Sequence, residues 1–195
     1  MNLNFELRCY VSEKGKRRKR LVYKKRWDPP LKALFQWMAG GMLATGLSAF
    51  NPATIKDITG TDRSISFAST TRWKCNGAAN DDTLGIVVGS GTTPVTIDDY
   101  QLATQIVHGS SAGQLSYGAT TFNAPVTSGK DRYFEVVRTF TNNSGGTVTV
   151  REIGLHSRNE AGTYSFLSLR DVLVSAIDVT DTKVLTVTYM ILTTA

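Results

Sequence analysis

Apolar and polar positions alternate with a period of two along much of the chain, the period of a half-buried strand. Leu3, Phe5, Leu7 and Cys9 alternate with Asn4, Glu6, Arg8 and Tyr10, which predicts a strand over 2–11. Ser12-Glu13-Lys14-Gly15 reads as a turn, and 17–27 can return as a second strand with Leu21 and Tyr23 on one face. Asp28-Pro29-Pro30 then stops the strand and suits a helix start, because Asp caps and proline is tolerated in the first turn. Leu31, Leu34, Phe35 and Met38 follow at spacings of three and four, so one short amphipathic helix is expected, weakened or ended at Gly40-Gly41. Trp37 and Met42 widen its apolar surface.

Beyond the helix the strand period resumes. The runs 55–58 and 64–68 flank Gly60-Thr61-Asp62 as a hairpin, and Ile86-Val87-Val88 reads as a strand buried on both faces. A glycine-rich loop, 89–94, leads into 95–102, and 115–122 forms one strand in a long Gly/Ser-rich connection. The organising stretch is 132–157, where two apolar-rich runs flank Asn142-Asn143-Ser144-Gly145-Gly146; it predicts a β-hairpin. Apolar positions are even up to Val150 and odd at Ile153 and Leu155, so a β-bulge is expected near Arg151–Glu152. Strands at 164–169, 172–174 and 184–192 complete the chain. Eight to ten short strands without a βαβ rhythm imply a mainly β fold, an antiparallel β-sandwich or jelly-roll-like domain. The expected organisation is an attachment arm over 1–46, made of the basic β-hairpin and the helix, and a β-sandwich domain over 47–195.

Charge changes the picture. Residues 1–26 hold ten Lys/Arg and two acids, a net of +8, so with a chain total of +6 the remainder sums to −2. A basic arm on a slightly acidic body separates attachment from display. The candidate partner-binding residues are Lys14, Lys16, Arg17, Arg18, Lys19, Arg20, Tyr23, Lys24, Lys25, Arg26 and Trp27, with Leu31, Phe35, Trp37 and Met38 of the helix. The bland alternative is a solvated edge hairpin whose lysines prevent edge-to-edge pairing.

Candidate chemistry adds little. Cys9 and Cys75 form no zinc spacing, and His108 and His156 have no ligand partners at strand or helix spacing. The 89–94 loop lacks the Lys-Ser/Thr of a phosphate-binding loop. Asp81-Asp82 and Asp98-Asp99 suit turns and caps rather than a calcium loop. Arg138, Arg151, Arg158, Glu135, Glu152 and Glu160 are read as cross-strand charge pairs. No catalytic residue, cofactor or metal is called for. No secretory signal is evident and no apolar run approaches the roughly 20 residues that span a bilayer, so a protein made in the cytoplasm and not bound to a membrane is expected.

Several segments together resemble a family of small proteins encoded by tailed bacteriophages and related prophages. They are GIVVGSGTTPVTIDDYQL (85–102), RTFTNNSG (138–145), EIGL (152–155) and LRDVL (169–173) leading into 185–191. The resemblance covers residues 55–193 and rests on turn and core positions, so it implies a shared fold rather than a reaction. It implies a non-enzymatic virion component, a head decoration subunit or else a neck or tail accessory, made in the host cytoplasm. Its partners would be other capsid, neck or tail proteins, and copies of itself in a homo-oligomer. A nucleic-acid-binding module using the basic arm and a carbohydrate-binding β-sandwich are the alternatives.

Overall fold

The computed structural model describes residues 2–26, 32–34, 53–65, 73–159 and 163–194. Trp27, Leu31, Phe35, Trp37 and Met38 lie outside the described residues; 32–34 are helical. The strands are β1 (Asn2–Glu13), β2 (Arg20–Arg26), β3 (Ala53–Lys56), β4 (Asp62–Ile65), β5 (Trp73–Lys74), β6 (Gly85–Gly89), β7 (Ser116–Tyr117), β8 (Thr121–Ser128), β9 (Asp131–Thr141), β10 (Val148–Asn159), β11 (Ser165–Val179) and β12 (Lys183–Thr194).

The fold is mainly β and antiparallel, in a sandwich-like arrangement of two sheets. The larger sheet runs β2-β1-β12-β9, with β7 and β8 sharing the far edge of β9. The smaller runs β11-β10, with β6 and β5 along the other edge of β10. β3 and β4 form a separate hairpin. Alternation decides what each strand contributes. Leu7, Cys9, Val136, Phe140, Leu185, Val187 and Tyr189 from the larger sheet meet Val148, Val150, Ile153 and Leu155 from the smaller in one core. The Tyr189 hydroxyl crosses between sheets to donate to Asp171 Oδ2 at 3.0 Å.

The first hairpin is built into the larger sheet. β1 pairs with β12 from Asn2↔Thr194 to Glu13↔Lys183, and β2 lies outside β1. β6 is buried at every position, as its continuous apolar run predicts.

The stretch 132–157 is not a hairpin. β9 pairs with β12 and β10 pairs with β11, so the turn at 142–147 carries the chain from one sheet to the other. The turn chemistry is as expected: the Asn142 side-chain oxygen accepts from Ser144 N at 2.9 Å, while Asn142 Nδ2 donates to Val179 O at 2.6 Å. Turn residues specify a reversal, but the partner of each strand is decided by core faces far away in sequence. The bulge is present: pairing shifts from Val150↔Ile177 to Glu152↔Val172, and residues 173–176 of β11 stand out of the ladder. The separate strands expected at 164–169 and 172–174 are therefore one bulged strand. Residues 95–102 form no strand but a loop over the smaller sheet, and 115–122 is split between β7 and β8.

Candidate functional site: a basic groove at the first hairpin

The turn between β1 and β2 is held against the opposite end of the chain. Gly15 adopts φ +77°, a left-handed conformation that favours glycine. Lys14 N donates to Thr182 O at 3.2 Å, and Lys16 N donates to Glu13 O at 3.1 Å. Lys14 Nζ donates to Asn143 Oδ1 at 3.1 Å, and Glu13 forms an ion pair with Lys183 at the start of β12. An open groove of about 670 Å³ results, with Lys16, Arg18, Lys19, Arg20 and Lys183 around Val11, Ser12 and Glu13.

The structure separates the expected partner-binding residues into two groups. Lys14, Lys16, Arg17, Arg18, Lys19 and Arg20 are exposed together at the hairpin tip. Further along β2 the side chains serve the fold. Lys24 pairs with Glu6 at 3.0 Å. Tyr23 OH accepts from Val174 N at 3.2 Å, and Lys25 Nζ donates to Val172 O at 3.2 Å, 4.0 Å from Asp171. These bonds tie the edge of the larger sheet to the bulge of the smaller one. Arg26 is exposed. Glu13, Asn143 and Lys183 were missed, because the β1–β12 register brings Glu13 to Lys183 and the β9–β10 turn brings Asn143 to Lys14, which no local pattern carries.

Of the charges read as cross-strand pairs, Glu152 on β10 does pair with Arg170 on the adjacent β11, whereas Arg138 pairs with no carboxylate. Arg138 is 1% exposed and has no carboxylate partner among its hydrogen bonds. Its Nε donates to Gly118 O (2.7 Å), Nη1 to Leu84 O and Ile86 O (both 2.8 Å), and Nη2 to Ala78 O (2.9 Å) and Asp81 O (2.5 Å). All five donors of the fork are used, and the guanidinium carbon lies 4.8 Å from the centre of the Tyr117 ring. Burial holds its pKa below the ordinary arginine value.

Glu152 is fully buried and is the anion that the glycine loop cradles. Its carboxylate accepts from Gly91 N (3.1 Å), Ala103 N (3.1 Å) and Thr104 N (2.8 Å), and from Arg170 Nε at 2.9 Å. A Cβ at Gly89 or Gly91 would sit 2.6 or 2.4 Å from Glu152 Oε1, so glycine is required there by space. Arg170 reaches on to Asp99 Oδ2 at 2.7 Å. Burial opposes the charges, but Asp99 and Glu152 outweigh it and raise the Arg170 pKa. Asp99 also accepts from Thr96 N, and Asp81 from Thr83 N, the capping and turn roles expected of them.

His108 Nδ1 accepts from Tyr117 N at 3.2 Å. His156 is buried with neither ring nitrogen at hydrogen-bonding geometry. Burial lowers its pKa to about 4, which the Thr83 backbone and the nearby Asp82 only partly offset. Cys9 and Cys75 are free and buried, and burial raises both thiols, Cys75 to about 12. They behave as small apolar core residues rather than nucleophiles.

Fold and site together define a mainly β, two-sheet protein with a preformed cationic groove on its larger sheet. No family model, no curated protein and no solved structure matches the chain.

Proposed function

We propose that this protein is a non-enzymatic structural component of a tailed-phage virion, a head decoration subunit or else a neck or tail accessory. It would act in several symmetric copies and attach through the basic hairpin. The observation that carries the reading is the segregation of charge. The cations of 14–20 stand exposed at one tip, whereas Arg138, Arg170, Glu152 and Asp57 are buried in the framework. Such a body would serve as a framework with its attachment charges gathered at one end. The resemblance of 85–102, 138–145, 152–155, 169–173 and 185–191 to phage proteins supports the same assignment. Exposed ion pairs contribute about 0–1 kcal/mol each and are screened by salt, so the tip would steer docking and set register more than supply affinity.

The test replaces Arg17, Arg18, Lys19 and Arg20 by Ser and measures incorporation into particles. A folded variant that no longer incorporates supports the reading; normal incorporation rejects it. The nucleic-acid alternative draws on the same cations. It expects binding to duplex DNA that falls log-linearly with salt, by an amount set by the number of phosphates neutralised.

A further inference from the structure

The groove differs from a plain basic patch in two respects. One of its cations, Lys183, comes from the other end of the chain, and its wall contains a carboxylate, Glu13, paired to that cation. We infer that the groove takes an acidic segment of another protein, that Lys183 is a contact residue, and that Glu13 is an internal competitor which sets selectivity. This rests on the attachment reading proposed above.

Three features choose a protein segment over nucleic acid. No aromatic side chain lines the groove among the described residues, so bases have no platform to stack on. Glu13 is 56% exposed at its side chain and repels a continuous row of phosphates. A protein segment can place a neutral or cationic residue opposite Glu13 and carboxylates opposite Arg18, Lys19, Arg20 and Lys183. Arginine in particular grips carboxylates through two parallel bonds.

Preorganisation makes the site more than a cluster of surface charges. The backbone bond from Lys14 to Thr182 fixes the loop against the β11–β12 turn, and the side-chain bond from Lys14 to Asn143 ties it to the β9–β10 turn. Both walls are therefore in place before the partner arrives, and less conformational freedom is lost on binding. The partner's carboxylate need only displace Glu13 from Lys183. Built-in repulsion of the wrong ligand is a common route to specificity.

The experiment uses the full chain and two labelled probes at physiological salt. One is a ten-residue peptide alternating Glu and Thr, the other a 20-base-pair DNA duplex. Fluorescence anisotropy gives Kd, and circular dichroism verifies that each variant is folded. Lys183→Gln should weaken peptide binding several-fold. Glu13→Gln should tighten binding of the duplex by about threefold to tenfold, as expected for removing one charge within a Debye length, and shift the peptide less. Unchanged peptide binding in Lys183→Gln overturns the two-walled groove, and an unchanged duplex affinity in Glu13→Gln overturns the selectivity role. If either result comes with peptide binding still abolished by the Arg17–Arg20 serine variant, the attachment reading stands without this inference. A wild-type protein that prefers the duplex, with a steep salt slope, overturns both.

Discussion

The arginines of the hairpin tip and the arginines of the interior have the same side chain and opposite uses. Arg17, Arg18 and Arg20 are exposed and crowd beside Lys16 and Lys19. Arg138 and Arg170 are 1% and 2% exposed and each is saturated by partners. At the tip, charge is displayed on exposed side chains. In the core, the guanidinium is a connector, and Arg138 gathers carbonyls from Ala78, Asp81 and Leu84 of the loop before β6, from Ile86 of β6 and from Gly118. The comparison teaches that net charge locates the exposed basic tip only after the buried cations are set apart. It also explains how loops lacking regular structure can flank a rigid sandwich: a buried backbone carbonyl must be paired, and one arginine pairs five.

The largest expected effect breaks the interior side of the comparison. Arg138→Met keeps the length and removes the fork, leaving buried carbonyls without donors. Each orphaned group costs about 1–3 kcal/mol, though water entering the loop recovers part of this. We expect a loss of at least about 4 kcal/mol in urea unfolding, among the largest single-residue effects for such a domain. Arg138→Lys should fall between, because an ammonium has three donors where five are used. Arg170→Met should cost about 3 kcal/mol, since it strands the Glu152 charge, yet three backbone N–H groups still hold that carboxylate. A midpoint for Arg138→Met within experimental error of wild type would show that the loop carbonyls find water instead.

These residues also mark where the sequence stopped being legible. Strand identity was readable wherever one face was apolar and the other polar, as in β1 and β12. The buried run of β6 and the bulge after Val150 were readable for the same reason. Partner choice was not. Val148 and Val150 look like the return of β9 because the turn between them is rich in Asn and Gly, but their faces complete a different sheet. Arg138 interrupts an apolar face, and in one dimension that looks like a solvent-facing or paired charge. Only the three-dimensional convergence of Ala78, Asp81, Leu84, Ile86 and Gly118 reveals a full set of acceptors. Glu152 was hidden likewise, because its donors Gly91, Ala103 and Thr104 lie far away in sequence. The basic tip was legible because a run of cations is exposed almost wherever it occurs. Its second wall was hidden because Lys183 enters through strand pairing.

His156 sharpens the contrast from a third direction, as a basic group that the interior keeps uncharged. Its pKa is depressed on folding, from the ordinary 6.5 to about 4. A depressed pKa stabilises the fold above the unfolded value and loses that contribution as pH falls through the folded one. Stability should therefore decline between about pH 6.5 and pH 4 by about 3 kcal/mol from this residue. Because neither nitrogen is bonded, His156→Leu should be neutral or slightly stabilising at pH 7 and should flatten the profile in that window. Urea midpoints at pH 7, 5.5 and 4.5 measure it. An unchanged slope in His156→Leu would show that His156 does not carry the decline in this window; Asp57, raised by burial but held down from 3.8 to about 2 by its hydrogen bonds, gives up its contribution only at lower pH.

The smallest expected effect lies at the tip, and its smallness is what makes the function separable from the fold. Arg17, Arg18 and Lys19 lie outside the strands, and Arg20 opens β2 with an exposed side chain. Replacing these four by Ser removes like-charge repulsion as well as favourable contacts, and the backbone tether from Lys14 to Thr182 remains. Stability should move by no more than about 0.5 kcal/mol, the range for exposed positions without special roles. The sign should depend on salt: at low ionic strength, where the Debye length is about 30 Å at 0.01 M, relief of repulsion should make the variant the more stable form. At 0.5 M salt the two proteins should coincide. Urea unfolding at both salt concentrations measures this alongside the particle assay. A loss above 1 kcal/mol at either concentration would mean that the tip belongs to the framework as Arg138 does, and the failed incorporation of the variant would then reflect misfolding rather than a missing contact.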